Sequence, residues 1–206
     1  SAAWEAVVDL LRSLQRDAVE SSVVTYNILV NACGKGRRWD LALELVAAMR
    51  RSSLRPNVVT FGAAINSSAE GAAVGWKFAW PRGLELLAEM VADGLAPNGV
   101  VWNGCIRACA EGAAWYQAIA LLRGMTHMEV SPDIISFNLA LLGCARADSV
   151  PWSIALLVFN EIARCRCQPD ATTLSTLALT CSDASEWQRA LGSLPKDMVN
   201  VAAHNA

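Results

Sequence analysis

The sequence predicts an all-α solenoid of stacked helix-turn-helix hairpins, and two recurring patterns support this prediction. A short motif of one aliphatic residue, one small or β-branched residue, one aromatic residue and Asn or Gly recurs at intervals of 35, 41 and 35 residues. Its four copies begin at Val24, Val59, Val100 and Ile135. A Pro-Asn or Pro-Asp pair closes each unit, at Pro56-Asn57, Pro97-Asn98, Pro132-Asp133 and Pro169-Asp170. A period of roughly 20 to 50 residues is typical of repeat proteins, whose units pack mainly on their neighbours.

Residues 23–57 form the first complete unit and show how each hairpin is built. Apolar residues follow the three-and-four spacing of one helix face, at Tyr26, Leu29, Val30 and Cys33. Glycines at positions 34 and 36 are expected to end this helix. A second helical pattern begins at Trp39 and continues to Met49 before Pro56 ends the unit. Neither helix can bury its apolar face alone, so the two are predicted to form a hairpin.

The rest of the chain fits the same frame, which predicts a single array over residues 1–206. Full repeats are expected at 58–98, 99–133 and 134–170, a short repeat at 171–200 and the start of another at 201–206. Residues 1–22 resemble the second helix of a preceding repeat, because Trp4 lies 35 residues before Trp39. We therefore expect a fragment of a longer array. The extra residues of the second repeat are assigned to a long loop over 71–83, between its two helices.

Tryptophan recurs at the start of the second helices, at Trp4, Trp39, Trp115, Trp152 and Trp187. A large ring at this position is expected to fill the space between adjacent hairpins. The alternative is that these rings stack on nucleic-acid bases.

Composition limits the classes of function. The 206 residues are 54% hydrophobic and 17% charged, with a net charge of -2, which disfavours a broad basic surface. No apolar stretch approaches the roughly 18 residues that span a membrane. Four of the seven cysteines recur at one helical position, so they are interpreted as buried thiols in a reducing, intracellular compartment: Cys33, Cys109, Cys144 and Cys181.

The hairpin resembles the pentatricopeptide repeat. The segments that carry the resemblance are 24–36, which opens Val-Thr-Tyr-Asn, and 41–49, which ends in Met. The resemblance extends over nearly the whole chain. The tetratricopeptide repeat is the competing interpretation, but its Trp lies early in the first helix, whereas Trp39 opens the second.

This resemblance implies a right-handed superhelix whose first helices line a groove for single-stranded RNA, with one base per repeat. In the family, the polar residue after the aromatic and the last residue of the repeat read the base together. The implied pairs are Asn27 with Asn57 for cytosine, or uracil less strongly, Gly62 with Asn98 for a weak adenine preference, Asn103 with Asp133 and Asn138 with Asp170 for uracil, and Ser175 with Asn200 for adenine. The implied wedges between bases are Val24, Val59, Val100, Ile135 and Thr172.

Phosphate contact is implied for Lys35 and Arg146, whereas Glu70 and Glu111 hold the same place in the two middle repeats. An Asn amide offers both a donor and an acceptor, which suits a base edge. The alternative for the Asn and Asp residues is helix capping, and the alternative for Lys35 and Arg146 is a solvated surface charge.

We therefore expect a monomeric RNA-binding array in a mitochondrion or chloroplast that acts in RNA processing, stability, editing or translation. Catalysis is not expected, because His127 has no constellation of Cys or carboxylate residues around it, and neither a metal nor a cofactor is expected. One alternative is a protein-binding scaffold that docks through the aromatic 71–83 loop, with Trp76, Phe78 and Trp80. Another is the RNA-binding part of an enzyme whose catalytic domain lies outside this chain.

Overall fold

A computed structural model describes residues 22–76, 78–147, 150 and 152–180, and within these ranges the chain is all helical. Nine helices are described: α1 Val23–Lys35, α2 Trp39–Arg51, α3 Val58–Ala73, α4 Ala79–Ala92, α5 Gly99–Glu111, α6 Trp115–His127, α7 Ile134–Arg146, α8 Trp152–Arg164 and α9 Ala171–Thr180. The predicted fold class is confirmed. The predicted helices within 1–21 and 181–206 lie outside the described residues.

The helices form two layers. The first helices of the repeats, α1, α3, α5, α7 and α9, pack side by side in chain order. Each second helix packs against the first helix of its own repeat and against the first helix of the next. Phe61 and Phe137, the aromatic residues of two repeat motifs, are fully or almost fully buried in the core that results. The motif therefore marks the packing period of the solenoid.

The Pro-Asn and Pro-Asp pairs begin the first helices. The side chains of Asn57, Asn98 and Asp133 each accept a hydrogen bond from the backbone N–H three residues later, at 3.0, 3.1 and 2.8 Å. These residues have extended backbone conformations, which the N-cap position requires. The capping role is therefore present, and any role in base reading is additional to it.

The end of α1 differs from the glycine-based prediction. Gly36 keeps a negative φ of -79°, and the left-handed residue is Arg37, with φ 58°. The N–H groups of Arg37 and Arg38 bond to the carbonyl oxygens of Gly34 and Cys33 at 2.9 Å, which closes a Schellman motif. The left-handed conformation thus falls one residue after the glycine.

The predicted loop over 71–83 is wrong, because most of this segment is helical. Helix α3 has 16 residues where α1 has 13, and it continues to Ala73. Helix α4 begins at Ala79, which leaves only residues 74–78 as a connection. The three additional helical residues add almost one turn to α3. Most of the aromatic segment therefore belongs to the two helices.

Trp80 is consequently the counterpart of Trp39 and lies in the first turn of α4. A Cβ atom on Gly71 would lie 2.6 Å from Cδ1 of Trp39, and one on Gly112 would collide with Trp80 in the same way. Each ring thus covers a glycine at the end of the following first helix. The interpretation of these rings as packing residues is supported for both. Gly83, three residues after Trp80, was the signal in the sequence, because Ala42 holds that place after Trp39.

The described recurring cysteines are buried thiols. Cys33, Cys109 and Cys144 are 0–2% exposed. Burial raises the pKa of Cys33 and Cys144 to about 11 and that of Cys109 to about 12, so these thiols stay protonated and unreactive. Cys181 lies outside the described residues.

No helix in the described part of the chain is long and apolar enough to cross a membrane.

Candidate functional site

One face of the first helices exposes an aliphatic residue in every repeat. Val24, Val59, Val100 and Ile135 are 56–65% exposed, although each lies only two residues before a buried aromatic ring. Thr172 holds the equivalent place in the first turn of α9 and is also exposed. Exposure of a β-branched residue at the same position of successive repeats is not explained by the core. These residues form the rim of a continuous surface on the first-helix layer.

A three-residue polar cluster lies beside this rim at each of three repeat junctions. At the first junction, the Asn27 amide Nδ2 donates to Asn57 Oδ1 at 3.4 Å, and the Thr60 hydroxyl donates to Asn27 Oδ1 at 2.5 Å. Thr60 belongs to the next repeat, so the cluster joins two repeats. The structure thus brings together Asn27 and Asn57, the pair predicted to read one base.

The next two predicted uracil-reading pairs form the same cluster. Asn103 Nδ2 donates to Asp133 Oδ1 at 3.3 Å, and the Ser136 hydroxyl lies 2.6 Å from Asn103 Oδ1. Asn138, Asp170 and Thr173 repeat this arrangement, with distances of 3.1 Å and 2.7 Å for the corresponding bonds. In all three clusters one amide hydrogen and one carbonyl lone pair of the Asn remain for a ligand, because an amide has two of each.

The carboxylates in these clusters are held ionised. Burial acts to raise the pKa of Asp133, but hydrogen bonds from the Ser136 backbone, the Ser136 hydroxyl and the Asn103 amide outweigh it, so the pKa is lowered. Asp170 behaves in the same way, with bonds from Thr173 and Asn138. A negative charge therefore lies beside the reading amide in these two repeats, whereas a neutral amide lies there in the first.

The second repeat lacks two of the three members of the cluster and keeps only the capping residue, Asn98. Gly62 replaces the reading Asn, and Val101 replaces the hydroxyl of the next repeat. A Cβ on Gly62 would lie 3.7 Å from Cγ2 of Val101, which is ordinary contact. The missing side chains leave a cleft of about 620 Å³, lined by Val24, Asn27, Ile28, Asn31, Val58, Val59, Gly62, Ala63, Asn66, Asn98, Val100 and Val101.

Two ion pairs cross the ends of the first helices. Arg107 bonds to Glu70 at 2.6 Å. Arg146, one of the two predicted phosphate ligands, bonds to Glu111, whose side chain is only 10% exposed. The sequence interpretation treated Arg146 as available, whereas the structure gives it an internal partner. Lys35, the other predicted phosphate ligand, is exposed at the end of α1.

The fifth predicted pair is placed only in part. Ser175 is exposed on α9, and its hydroxyl donates to the Ala171 carbonyl at 2.8 Å. Its one hydroxyl proton is therefore used within the helix. Asn200 lies outside the described residues. The pair of Ser175 with Asn200 therefore stays a prediction.

The connection between α3 and α4 carries exposed aromatic rings. Phe78 is 82% exposed and Trp76 is 59% exposed, while Trp76 packs edge-on against Trp39 with ring centroids 6.1 Å apart. Trp76 is therefore anchored on one side.

Among the described residues, no group of three or more His, Cys, Asp or Glu side chains is placed to hold a metal ion.

The hydroxyl column Thr60, Ser136 and Thr173 was missed from the sequence. These residues were treated as part of the repeat motif, where a β-branched or small side chain suits packing. The sequence did contain a signal, because the hydroxyl is replaced by Val101 in the repeat that follows Gly62.

Comparison with known proteins gives consistent matches. The PPR repeat family matches residues 3–70, and the Pentatricopeptide repeat domain matches residues 85–146. No curated protein matches the chain.

Among solved structures, PPR10 in complex with an 18-nt psaJ RNA element is 27% identical, with a TM-score of 0.75 over 96% of this chain and 28% of that chain. A second structure, of PPR10 from maize, is 23% identical, with a TM-score of 0.67 and the same coverage. The PPR domain of Arabidopsis thaliana protein-only RNase P 1, in complex with tRNA, is 17% identical, with a TM-score of 0.64 over 85% of this chain and 93% of that chain. The latter two show similarity of fold alone. The chain spans less than a third of the length of the PPR10 chains.

Proposed function

Because the chain belongs to the pentatricopeptide repeat family, we propose that it binds single-stranded RNA along its first helices, with one base per repeat. The observation that carries this proposal is the polar cluster repeated at three junctions, each of which leaves one amide donor and one amide acceptor beside an exposed aliphatic residue. PPR10, a structural relative, is described in complex with an 18-nt RNA element, which supports the same class of ligand.

We propose a base for each repeat from these clusters together with the family resemblance. Asn103 with Asp133 and Asn138 with Asp170 are proposed to read uracil, and Asn27 with Asn57 to read cytosine, or uracil less strongly. At Gly62 there is no side chain to discriminate, so we propose weak selectivity there, with the slight preference for adenine that the family resemblance implies. The aliphatic rim would separate successive bases by contact with their faces. The proposed target, read in parallel with the chain, is 5'-C/U, A or any, U, U, A-3', where the last base rests on Ser175 and Asn200.

The cellular role is proposed from the family resemblance. An array of this kind would act on a transcript of a mitochondrion or chloroplast, in processing, stability, editing or translation. We propose that the array binds as a monomer and is not itself catalytic. Fluorescence microscopy of the full-length protein tests the compartment, and a purely cytosolic signal would contradict it.

Selection from a randomised RNA pool at two salt concentrations tests the binding proposal. The expected result is enrichment of a U-U step opposite the third and fourth repeats, retained at the higher salt because base contacts are not removed by counterion competition. A pool that shows no sequence enrichment, or that binds only at low salt, would contradict base-specific recognition.

The ion pairs at the ends of the first helices predict a weak electrostatic contribution to RNA binding, which a substitution can increase. We expect Glu111→Gln to release Arg146 for phosphate contact, to raise affinity for a U-U RNA, and to steepen the dependence of log affinity on log salt by about 0.7. Fluorescence anisotropy titrations over a salt series measure both quantities. Glu89→Gln is the matched control, because Glu89 pairs with Arg50 at 3.3 Å between second helices. An equal change in both variants would show a general charge effect and not the release of Arg146.

A second candidate function is protein binding through the segment 74–78. The observation that favours it is the exposure of Phe78, since exposed aromatic groups often mark interfaces. Phe78→Ser is expected to leave RNA affinity unchanged if the two surfaces are independent. A loss of RNA affinity in this variant would place the aromatic segment in the RNA path.

A further inference from the structure

We propose that the Ser or Thr hydroxyl that follows a repeat with a reading Asn, in the first turn of the next first helix, sharpens the pyrimidine selectivity of that repeat by fixing the orientation of the Asn. This inference rests on the proposed RNA-binding function and adds Thr60, Ser136 and Thr173 to it as positioning residues. The three hydroxyl residues are themselves buried, with side chains 0% exposed. They therefore act through the Asn and not by contact with RNA.

The hydrogen-bond distances show that each hydroxyl proton lies within reach of two acceptors, which share it unequally. The hydroxyl of Ser136 already accepts the backbone N–H of Asp133 at 3.2 Å, and its single proton has two possible acceptors. Asn103 Oδ1 lies at 2.6 Å and Asp133 Oδ1 at 2.8 Å. For Thr60 the corresponding distances are 2.5 and 3.1 Å. For Thr173 they are 2.7 and 2.9 Å. In each cluster the reading Asn is the nearer acceptor.

A bond of this kind fixes which end of the amide faces which neighbour. An Asn amide is nearly symmetric in shape, and a half-turn of its terminal group exchanges the carbonyl oxygen and the NH2 group. The hydroxyl holds the oxygen on its own side, and the capping residue holds the NH2 group on the other. One lone pair and one hydrogen then point outward in a defined order.

This order distinguishes uracil from cytosine. The Watson–Crick edge of uracil presents an acceptor at position 4 and a donor at position 3, whereas cytosine presents a donor at position 4 and an acceptor at position 3. A turned amide therefore exchanges complementarity between the two pyrimidines. Loss of the hydroxyl would leave the bond to the capping residue as the one remaining bond that holds the amide, and discrimination between uracil and cytosine would fall.

The second repeat provides a natural contrast. Four junctions between first helices are described, and three of them combine a reading Asn with a following hydroxyl. At the remaining junction, between α3 and α5, Gly62 has no amide to orient, and Val101 has no hydroxyl that could orient one. The amide and the hydroxyl are thus absent together, as expected if the role of the hydroxyl is to orient the amide. If the hydroxyl served only as a helix cap, it would be expected in α5 as well, because Asn98 caps that helix in the same way.

The test substitutes Ser136, a residue of the fourth repeat, and measures base selectivity opposite the third repeat. Affinities are measured for four RNAs that carry uracil or cytosine opposite the third or the fourth repeat. Ser136→Ala is expected to reduce the ratio of uracil to cytosine affinity opposite the third repeat by about five- to tenfold, which is the size of one hydrogen bond. The ratio opposite the fourth repeat, to which Ser136 itself belongs, is expected to stay within twofold. Ser136→Thr, which keeps the hydroxyl, is expected to retain both ratios.

The outcomes separate this inference from the proposed function. Failure of the wild-type chain to bind any RNA removes both. Wild-type selectivity that persists in Ser136→Ala overturns the inference alone, as does a loss of affinity that is equal for uracil and cytosine. The latter result would indicate that Ser136 serves only the helix start, where it accepts the Asp133 N–H.

A gain-of-function pair keeps the test valid if Ser136→Ala fails to fold. Gly62→Asn places an amide in the cleft with room for its Cβ, and adding Val101→Thr supplies the hydroxyl. We expect the double variant to discriminate between uracil and cytosine opposite the second repeat by at least fivefold, and Gly62→Asn alone to discriminate less than twofold. Equal discrimination by the two variants would overturn the inference.

Discussion

Replacement of Asn103 and Asn138 together by Thr is expected to move the preferred step opposite the third and fourth repeats from uracil towards guanine. Thr removes the outward-facing amide donor and acceptor, which we expect to cost about 1–3 kcal/mol of uracil discrimination at each position. Its shorter side chain also leaves room for guanine, whose N1–H can donate to Asp133 or Asp170. Titration with RNAs that differ only in a U-U or G-G step measures the change.

The matched control for this variant is Asn160→Thr. Asn160 is half-buried like Asn103 and Asn138, but it lies on α8 in the second-helix layer. We expect this variant to bind the U-U RNA as the wild type does. If the double variant keeps its uracil preference, the two Asn residues only stabilise the repeat junctions, and base reading must be assigned elsewhere.

Phe137→Ala is expected to produce the largest loss of stability. Phe137 is 2% exposed in the core of the first-helix layer, and replacement of a buried Phe by Ala typically costs about 3–5 kcal/mol. Because solenoid repeats are stabilised mainly by their neighbours, we expect the loss to extend to the adjoining hairpins. Urea denaturation followed by circular dichroism measures the change in transition midpoint.

Ile135→Ala, two residues away on the same helix, is the comparison that separates packing from recognition. Ile135 is 56% exposed, so its truncation is expected to change stability by less than about 0.5 kcal/mol. RNA affinity is expected to fall, because the side chain would no longer contact the base faces. A large loss of stability in Ile135→Ala would show that this residue belongs to the core and would remove the aliphatic rim from the proposed site.

The repeat frame could be predicted because its signal is local and periodic. An aromatic residue such as Phe61 and a capping residue such as Asn57 are both required in every unit by packing and by the helix start, so they recur at the same interval. The segment 71–83 could not be placed in the same way. Extra residues can lengthen a helix or a connection, and the apolar and aromatic residues of this segment suit either.

Two features of the site depend on contacts between repeats, which a reading of one repeat at a time does not contain. The bond from Ser136 to Asn103 and the ion pair from Arg146 to Glu111 each join residues about one repeat apart. Their partners become visible only when equivalent positions of successive repeats are compared. A reading of each repeat alone gives Ser136 no partner and leaves Arg146 for phosphate contact or solvent.

Photocrosslinking of RNA that carries 4-thiouridine in the U-U step tests most directly whether single bases lie on successive first helices. The account predicts that the first thiouridine crosslinks to α5, near Val100 and Asn103, and the second to α7, near Ile135 and Asn138, as mapped by mass spectrometry. Crosslinks to the second helices α6 and α8, or the same crosslinks from both thiouridine positions, would contradict recognition of one base per repeat on the first-helix layer.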